Sequence, residues 1–465
     1  MISGNLSGTM SVKACDLFFL PAQMRVPLKF GGETIASIIN AKVCLHLEDA
    51  HGKVARGWGE TPLSVAWAWP SNAPFKSREK RMLEFCDDLA EAWRKIEGTG
   101  HAMEIGWDFL EHTLPELLRN SNDGEKLQIP HLAALICNSA FDLALHDAFG
   151  KLLDKPVYET YNQTYLSRDL AWYFDDPAFA GKYPQDFLLS PSPLRLPVWH
   201  LVGGKDLLTE AECTGQEPDD GYPVTLTQWI KRDGLKCLKI KLTGVDSEWD
   251  FRRMVAVGEI ALQHQCTALS PDLNCQVRDP EYVNTLLDRL QQDYPEIYAL
   301  ILYVEQPFPY DLEANPLDVH SVSARKPLFM DESAHDWRLV RLGCELGWTG
   351  VALKVCKTQT GALLSACWAK AHGMQLMVQD LTNPRLAMIP HVLLAAKVGT
   401  IMGVECNAAQ FYPEASLLEA ESHPGLYERR GGELDLSTIQ GNGFGYNLPQ
   451  LEQAWREAPQ SVGSS

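Results

Sequence analysis

Apolar positions change rhythm twice along the chain. Near the start they alternate as in strands. The run Ala36 to Leu47 (ASIINAKVCLHL) has strand-like patches, and Glu48-Asp49-Ala50-His51-Gly52 supplies turn residues before Val54 to Trp58. A helical spacing follows. Met82, Leu83, Phe85, Leu89, Ala92 and Trp93 set one apolar face on a helix from about Ser77 to Ile96, and His131 to Phe149 (HLAALICNSAFDLALHDAF) is apolar enough on most of its surface to predict a buried helix. Residues 1–160 therefore read as an α+β domain. Residues 161–195, rich in aromatics, Asp, Pro and Ser, break the pattern and read as a linker or a lid insertion.

From Leu196 the pattern becomes cyclic. Short apolar runs recur with helical stretches between them: LPVWHLV (196–202), CLKIKL (237–242), CTALSPD (266–272), ALILYVE (299–305), PLFMD (327–331), GVALKVC (350–356), MQLMVQD (374–380) and TIMGVEC (400–406). Strands alternating with helices predict a parallel sheet, and eight of them predict an α/β fold closed into a TIM-like (β/α)7–8 barrel over residues 196–412. The runs are almost continuously apolar, as strands covered on both faces should be. After Tyr412 the cycle stops, and a Gly-rich segment (413–465) follows.

Composition narrows the partners. The chain has 465 residues, which suggests two or three domains, and a net charge of −19. Such acidity repels nucleic acid and anionic membrane surfaces, so neither is an expected partner. Twelve scattered cysteines without CxxC pairs read as reduced thiols of an intracellular protein. There is no signal-peptide pattern and no apolar run of about 20 residues, so the expected location is cytoplasmic.

Chemistry enters through the ends of the runs, where a (β/α)8 barrel builds its active site. Asp272, Glu305 and Asp331 end three successive strands, which places three carboxylates side by side. They cannot all stay ionised without a counter-charge, and an oxygen-only set suits Mg²⁺, with Mn²⁺ as the alternative. Lys239 and Lys241 lie two apart and share a strand face, and Lys354 lies four strands further round. Mutual repulsion near a dication is expected to lower a lysine pKa and make a general base. A cation on one side of a carboxylate substrate and lysines on two flanks suit removal of the proton α to that carboxylate, with the cation holding the enediolate.

In order along the chain, these residues resemble the enolase superfamily and, within it, the muconate lactonizing enzyme subgroup. Ala140-Phe-Asp-Leu-Ala-Leu-His-Asp147 with Gly150-Lys151 is similar to the last capping-domain helix, Lys239-Ile-Lys241 to the second-strand KxK, and Asp272-Leu-Asn274 to the third-strand DxN. Glu305-Gln-Pro307 and Asp331-Glu-Ser333 resemble the EQP and DES motifs, Lys354 takes the sixth-strand lysine position, and His423-Pro424 with Gly431-Gly-Glu-Leu434 resembles the segment that returns to the capping domain. The resemblance implies an α+β capping domain on the barrel, Mg²⁺ on Asp272, Glu305 and Asp331, and an acid/base pair Lys241 and Lys354 supported by Lys239. Asn274 would stand behind these residues. It also implies two specificity loops, 24–32 and 61–71, and a homo-oligomer. Phe30, Trp67 and Trp69 in the loops, with Asp380 and Glu405 at strand ends, are the candidates for touching the substrate, although a core or interface place suits the two tryptophans equally well.

Three departures bear on the substrate. Thr358-Gln-Thr-Gly361 replaces the double glycine after the sixth strand; Glu405-Cys-Asn407 replaces the DxD of dipeptide epimerases; and Gln379-Asp380 lacks the histidine of mandelate racemase and of many sugar-acid dehydratases. The expected reaction is racemisation or epimerisation, cycloisomerisation or syn-dehydration of a small carboxylate. The alternatives are an acid-sugar dehydratase of mandelate racemase type, a metal hydrolase (for which the first strand offers only His200) and a degenerate barrel acting as a binding module.

Overall fold

The computed structural model describes residues 9–30 and 33–447. Strands β1 (Thr9–Phe30), β2 (Glu33–Glu48), β3 (Val54–Pro62) and β4 (Glu97–Thr99) form one antiparallel sheet in the order β3-β2-β1-β4. Alternation explains its packing: Ala41, Val43, Leu45 and Leu47 share a face and share a core with the helices Phe75–Trp93 and His131–Leu152. Strand β3 lies directly on the second helix. A Cβ at Gly57 or Gly59 would fall 2.1 or 2.0 Å from the carbonyl oxygens of Ala144 and Ala140, so only glycine permits this approach.

The helix His131–Leu152 is long and apolar enough to cross a membrane, which exceeds the expectation that no segment would be. Here it is wholly buried, between the sheet on one side and the barrel on the other. Of its buried polar residues, Ser139, Asp142, His146 and Asp147 find partners inside the protein, and Asn138 accepts from the Trp93 indole at 2.9 Å.

The barrel strands are β5 (Arg195–Val202), β6 (Cys237–Lys241), β7 (Ala268–Asp272), β8 (Val304–Glu305), β9 (Leu328–Met330), β10 (Gly350–Leu353), β11 (Gln375–Val378) and β12 (Val404–Glu405). They pair in parallel in the order β11-β10-β9-β8-β7-β6-β5-β12. The β11–β12 seam is bridged by the Ile401 amide, which donates to the Leu376 carbonyl at 2.9 Å. All eight predicted runs contain a strand, but the fourth and eighth are two residues long; in the fourth, Ala299 and Leu300 end the helix Pro295–Leu300. Trp199, Cys237, Ala268, Tyr303, Phe329 and Met377 plug the barrel, so a substrate can reach only the C-terminal mouth.

The two connecting segments behave differently. Residues 161–195 run down the outside. Arg168 pairs with Asp108 at 2.7 Å, Phe174 packs on Trp337 at 5.0 Å, and the Phe187 carbonyl accepts from Lys370. None of them lines the cavity over the barrel mouth. The C-terminal segment adds β13 (Glu433–Asp435) antiparallel to β5, and the Phe444 amide then donates to Asp147 on the buried helix. The segment is described as far as residue 447; the remainder of the predicted segment lies outside the described residues.

Buried histidines tie this fold to pH. Burial lowers the pKa of His391 to about 4 and of His335 to about 3, and it lowers those of His101 and His146 as well. A folded pKa below the unfolded value gives stability that is complete above about 6.5 and lost as pH falls. Denaturant titrations should show stability falling by about 1.4 kcal/mol per pH unit per histidine below pH 6.5. The slope should be shallower in His391→Gln.

Candidate active site

Parallel pairing sets the strand ends side by side. Asp272 stands opposite Glu305 in register, and Asp331 follows β9 by one residue. All three are buried. The loop carrying Asp331 is fixed by Gln306, whose side-chain oxygen accepts from the amides of Asp331 (2.7 Å) and Ser333 (3.2 Å) and from the Ser333 hydroxyl (2.8 Å). Asn274 takes a left-handed backbone, which asparagine tolerates, and there accepts from Lys241 at 2.9 Å while donating to Glu332 at 3.1 Å.

The lysines lie among these carboxylates. Lys239 donates to Glu305 at 2.6 Å and to Glu405 at 3.1 Å, and lies 3.1 Å from Asp272; Lys241 pairs with Asp272 at 2.5 Å. Across the mouth Lys354 lies 3.3 Å from Asp331 and donates to the Asp380 carbonyl at 3.2 Å. Burial alone would lower the pKa of Lys239, but Glu305, Glu405, Asp272 and Asp331 outweigh it and hold the pKa well above the usual lysine range. Lys354 is raised likewise, with Asp331 overcoming burial. The sequence expectation of a lowered lysine pKa counted the repulsion between the amines and a dication but not the facing carboxylates, which dominate at these two positions. Burial pushes Asp272 up, yet Lys241 and Lys239 bring it below its ordinary range, whereas burial and Asp272 push Glu305 well above its own.

The loop after Lys354 explains the missing double glycine. Thr360 donates its hydroxyl to Asp142 at 2.8 Å and its amide to the other oxygen at 3.0 Å, and His146 meets the same hydroxyl at 2.9 Å. Gln359 donates to Tyr158 at 3.0 Å, and the Val355 carbonyl accepts from Ser139 at 2.7 Å. The catalytic-face loop is therefore bolted to the capping-domain helix. Thr360→Val leaves Asp142 Oδ1 and His146 Nε2 buried without this hydroxyl and should cost about 1–3 kcal/mol of stability, measured by denaturant unfolding.

A cavity of about 60 Å³ lies over the mouth, lined by Leu28 and Ile35 of the β1–β2 hairpin, Ser64, Trp67, Leu201, Lys239, Lys241, Asp331, Lys354 and residues 380–382, 405 and 407. Trp67 borders the cavity, with its ring 5.2 Å from the Lys354 ammonium, while also packing in the capping-domain core. Trp69 packs in the same core and does not line the cavity. Phe30 ends β1, and its side chain lies outside the described residues. Asp380 and Glu405 both reach the cavity. Asp380 accepts from the Asn407 and Asn383 amides, and burial with Glu405 pushes it up to about 6.

Three further residues escaped the sequence reading. Lys357 is buried and donates to the Asp331 carbonyl at 2.6 Å; Gln379 donates to Glu305 and to the Tyr303 hydroxyl; Glu332, pushed up to about 7 by burial and Asp331, backs Asn274. A lysine three residues after Lys354 in an apolar run was a signal for the first.

Residues 224–451 match the family model described as enolase C-terminal domain-like. Over these residues, just under half of its length, the chain is similar to the enolase superfamily. An aromatic dipeptide epimerase of Herpetosiphon aurantiacus is 26% identical over 257 residues, 53% of this chain and 66% of that enzyme, so the match spans just under two thirds of its length. The structure resembles a dipeptide epimerase from Enterococcus faecalis solved with Mg and L-Leu-L-Tyr (TM-score 0.61, 18% identity, 94% of this chain and 99% of that one). It also resembles the muconate lactonizing enzyme of Pseudomonas fluorescens (TM-score 0.61, 16% identity, 96% and 98%).

The barrel mouth offers a donor set that fits a divalent cation. Asp272, Glu305 and Asp331 supply only oxygen, and Asp331 Oδ1 is buried with no hydrogen-bond partner. Among the described residues only Asp16, Cys44 and His46, on the sheet, bring ligand atoms within 4.8 Å of one another; at the barrel mouth, ammonium groups stand among the carboxylates.

Proposed function

We propose that the protein is a Mg²⁺-dependent isomerase that takes the α-proton from a small carboxylate with one of Lys241 and Lys354 and returns a proton from the other. One observation carries this reading. Lys241 on β6 and Lys354 after β10, four strands apart, line the same cavity with the acidic cluster between them. The names of the relatives, epimerase and muconate lactonizing enzyme, support an isomerase-type reaction in general.

Asp272, Glu305 and Asp331 would hold the metal, which when bound supplies fixed positive charge against the substrate carboxylate. The chain's own groups do the rest. Lys354, beside Asp331, faces the cavity from one flank and Lys241 from the other, and Lys239 adds positive charge beside the substrate carboxylate. Trp67 and Leu28 exclude water from that face. The cavity holds about two water volumes, so a substrate enters only when the hairpin shifts.

Racemisation, cycloisomerisation and syn-dehydration share this first step. Dehydration by a His–Asp pair has less support, because among the described residues no histidine lines the cavity. Asp380 and Glu405 already accept hydrogen bonds, which favours a neutral substrate end over a free ammonium. To test this, N-acyl amino acids, dipeptides and cyclic acids are incubated in D₂O with Mg²⁺ and followed by proton NMR. One class should lose its α-proton signal, and chelation should stop the loss. No exchange in any class would remove the reading.

A further inference from the structure

A second, larger cavity of about 370 Å³ lies outside the barrel wall. His200 and Val202 of β5 line it, whereas Leu201 between them lines the catalytic cavity, so the two spaces are on opposite faces of one strand. Its other walls are Arg25, Val26, Pro27 and Thr34 of the β1–β2 hairpin, the 203–225 segment after β5, and Leu226 and Trp229 of the helix Leu226–Asp233. No sequence motif pointed to it.

Its polar groups are sorted unequally. Arg25 is committed: Nε and Nη2 donate to Asp220 at 2.7 and 2.8 Å, and Nη1 donates to the Pro223 carbonyl at 3.2 Å. Asp206 accepts the Gly203 amide at 2.7 Å, and Glu217 accepts the Thr214 and Gly215 amides at 2.7 and 2.8 Å. His200 differs. It is 1% exposed, and its Nδ1 lies 3.1 Å from Nη1 of Arg429, which can only donate. Nδ1 is therefore the acceptor, and the neutral ring carries its hydrogen on Nε2. That donor belongs to a buried side chain on the cavity wall and has no protein partner among the described residues. Lys205 brings an exposed ammonium to the same space. The apolar part of the lining is Val26, Val202, Leu207, Val224, Leu226 and Trp229; Gln410, whose amide nitrogen donates to the Leu201 carbonyl at 3.0 Å, completes the polar wall with Asp206 and Glu217.

From this arrangement we infer a second ligand site, distinct from the catalytic cavity, for a small amphipathic carboxylate. The carboxylate would accept from His200 Nε2 and Lys205, and its hydrocarbon part would lie against Trp229 and Leu226. The inference does not depend on the reaction proposed above. The occupied site would also brace the hairpin whose Leu28 and Ile35 wall the catalytic cavity.

The test uses the full chain and 3-phenylpropanoate as the probe, with 3-phenylpropan-1-ol as its uncharged counterpart, in calorimetric titrations. The acid should bind, and the alcohol should bind about tenfold or more weakly, the loss of charge-assisted hydrogen bonds. Lys205→Met, an exposed change that leaves the core intact, should weaken the acid about tenfold, as should His200→Met; Val224→Phe should block it by filling the space. Lys354→Ala should leave binding unchanged, and hydrogen exchange should slow at residues 23–28 and 34–38. Absence of binding, equal affinity for the alcohol, or binding lost in Lys354→Ala but kept in Lys205→Met would overturn the inference. None of these outcomes depends on whether the protein exchanges an α-proton.

Discussion

Lys241→Ala and Lys354→Ala each lower turnover by about 10²–10⁴-fold and abolish interconversion of the two substrate configurations, because a positioned proton donor or acceptor contributes that much. The pattern of deuterium uptake is sharper than the rate. With two lysines on opposite flanks, each single variant should exchange only the configuration whose α-proton faces the surviving amine. The double variant should exchange neither. The measurement is proton NMR of both configurations in D₂O, with circular dichroism confirming the fold. Interconversion that persists in either single variant would show that the amines are not the proton carriers.

Lys239→Met produces the largest expected change in stability. It leaves Asp272, Glu305 and Glu405 buried and facing one another without the ammonium that now touches all three. Removing one partner from a buried ionic cluster costs about 3–5 kcal/mol. The sign with pH follows from the direction of each shift. Lys239 has a raised folded pKa, so its contribution is complete below the usual lysine value of about 10.5 and is lost only at still higher pH. Glu305 has a raised folded pKa too, so its ionisation opposes folding above the usual carboxylate range. The loss in Lys239→Met should therefore be larger at pH 8 than at pH 5. Added Mg²⁺ should recover part of it at pH 8, read as a rise in melting temperature. A loss independent of pH and of Mg²⁺ would mean that the lysine matters for packing and not for charge.

Much of the barrel was legible because a titratable residue ending an apolar run is conspicuous: Asp272, Glu305, Asp331, Lys239, Lys241 and Lys354 all announced themselves this way. The rest depended on partners far along the chain. Thr358 to Gly361 looked like a departure without a purpose until the fold brought Thr360 to Asp142, 218 residues away. Trp67 and Trp69 are indistinguishable as letters; both join the capping-domain core, and only Trp67, on the short helix Val65–Ala68, also borders the cavity. The 161–195 segment looked functional because it is long and aromatic, yet the segment that walls a cavity is 203–225, whose polar composition resembles any surface loop.

The bolt between the buried helix and the loop after Lys354 also constrains how the protein is made. At about 5–20 residues per second, Thr360 leaves the ribosome roughly 10–45 s after Asp142. Throughout that interval a 22-residue apolar helix has its sheet but not its barrel. Nascent chains of this protein should therefore engage chaperones between synthesis of the capping sheet and completion of the sixth barrel strand.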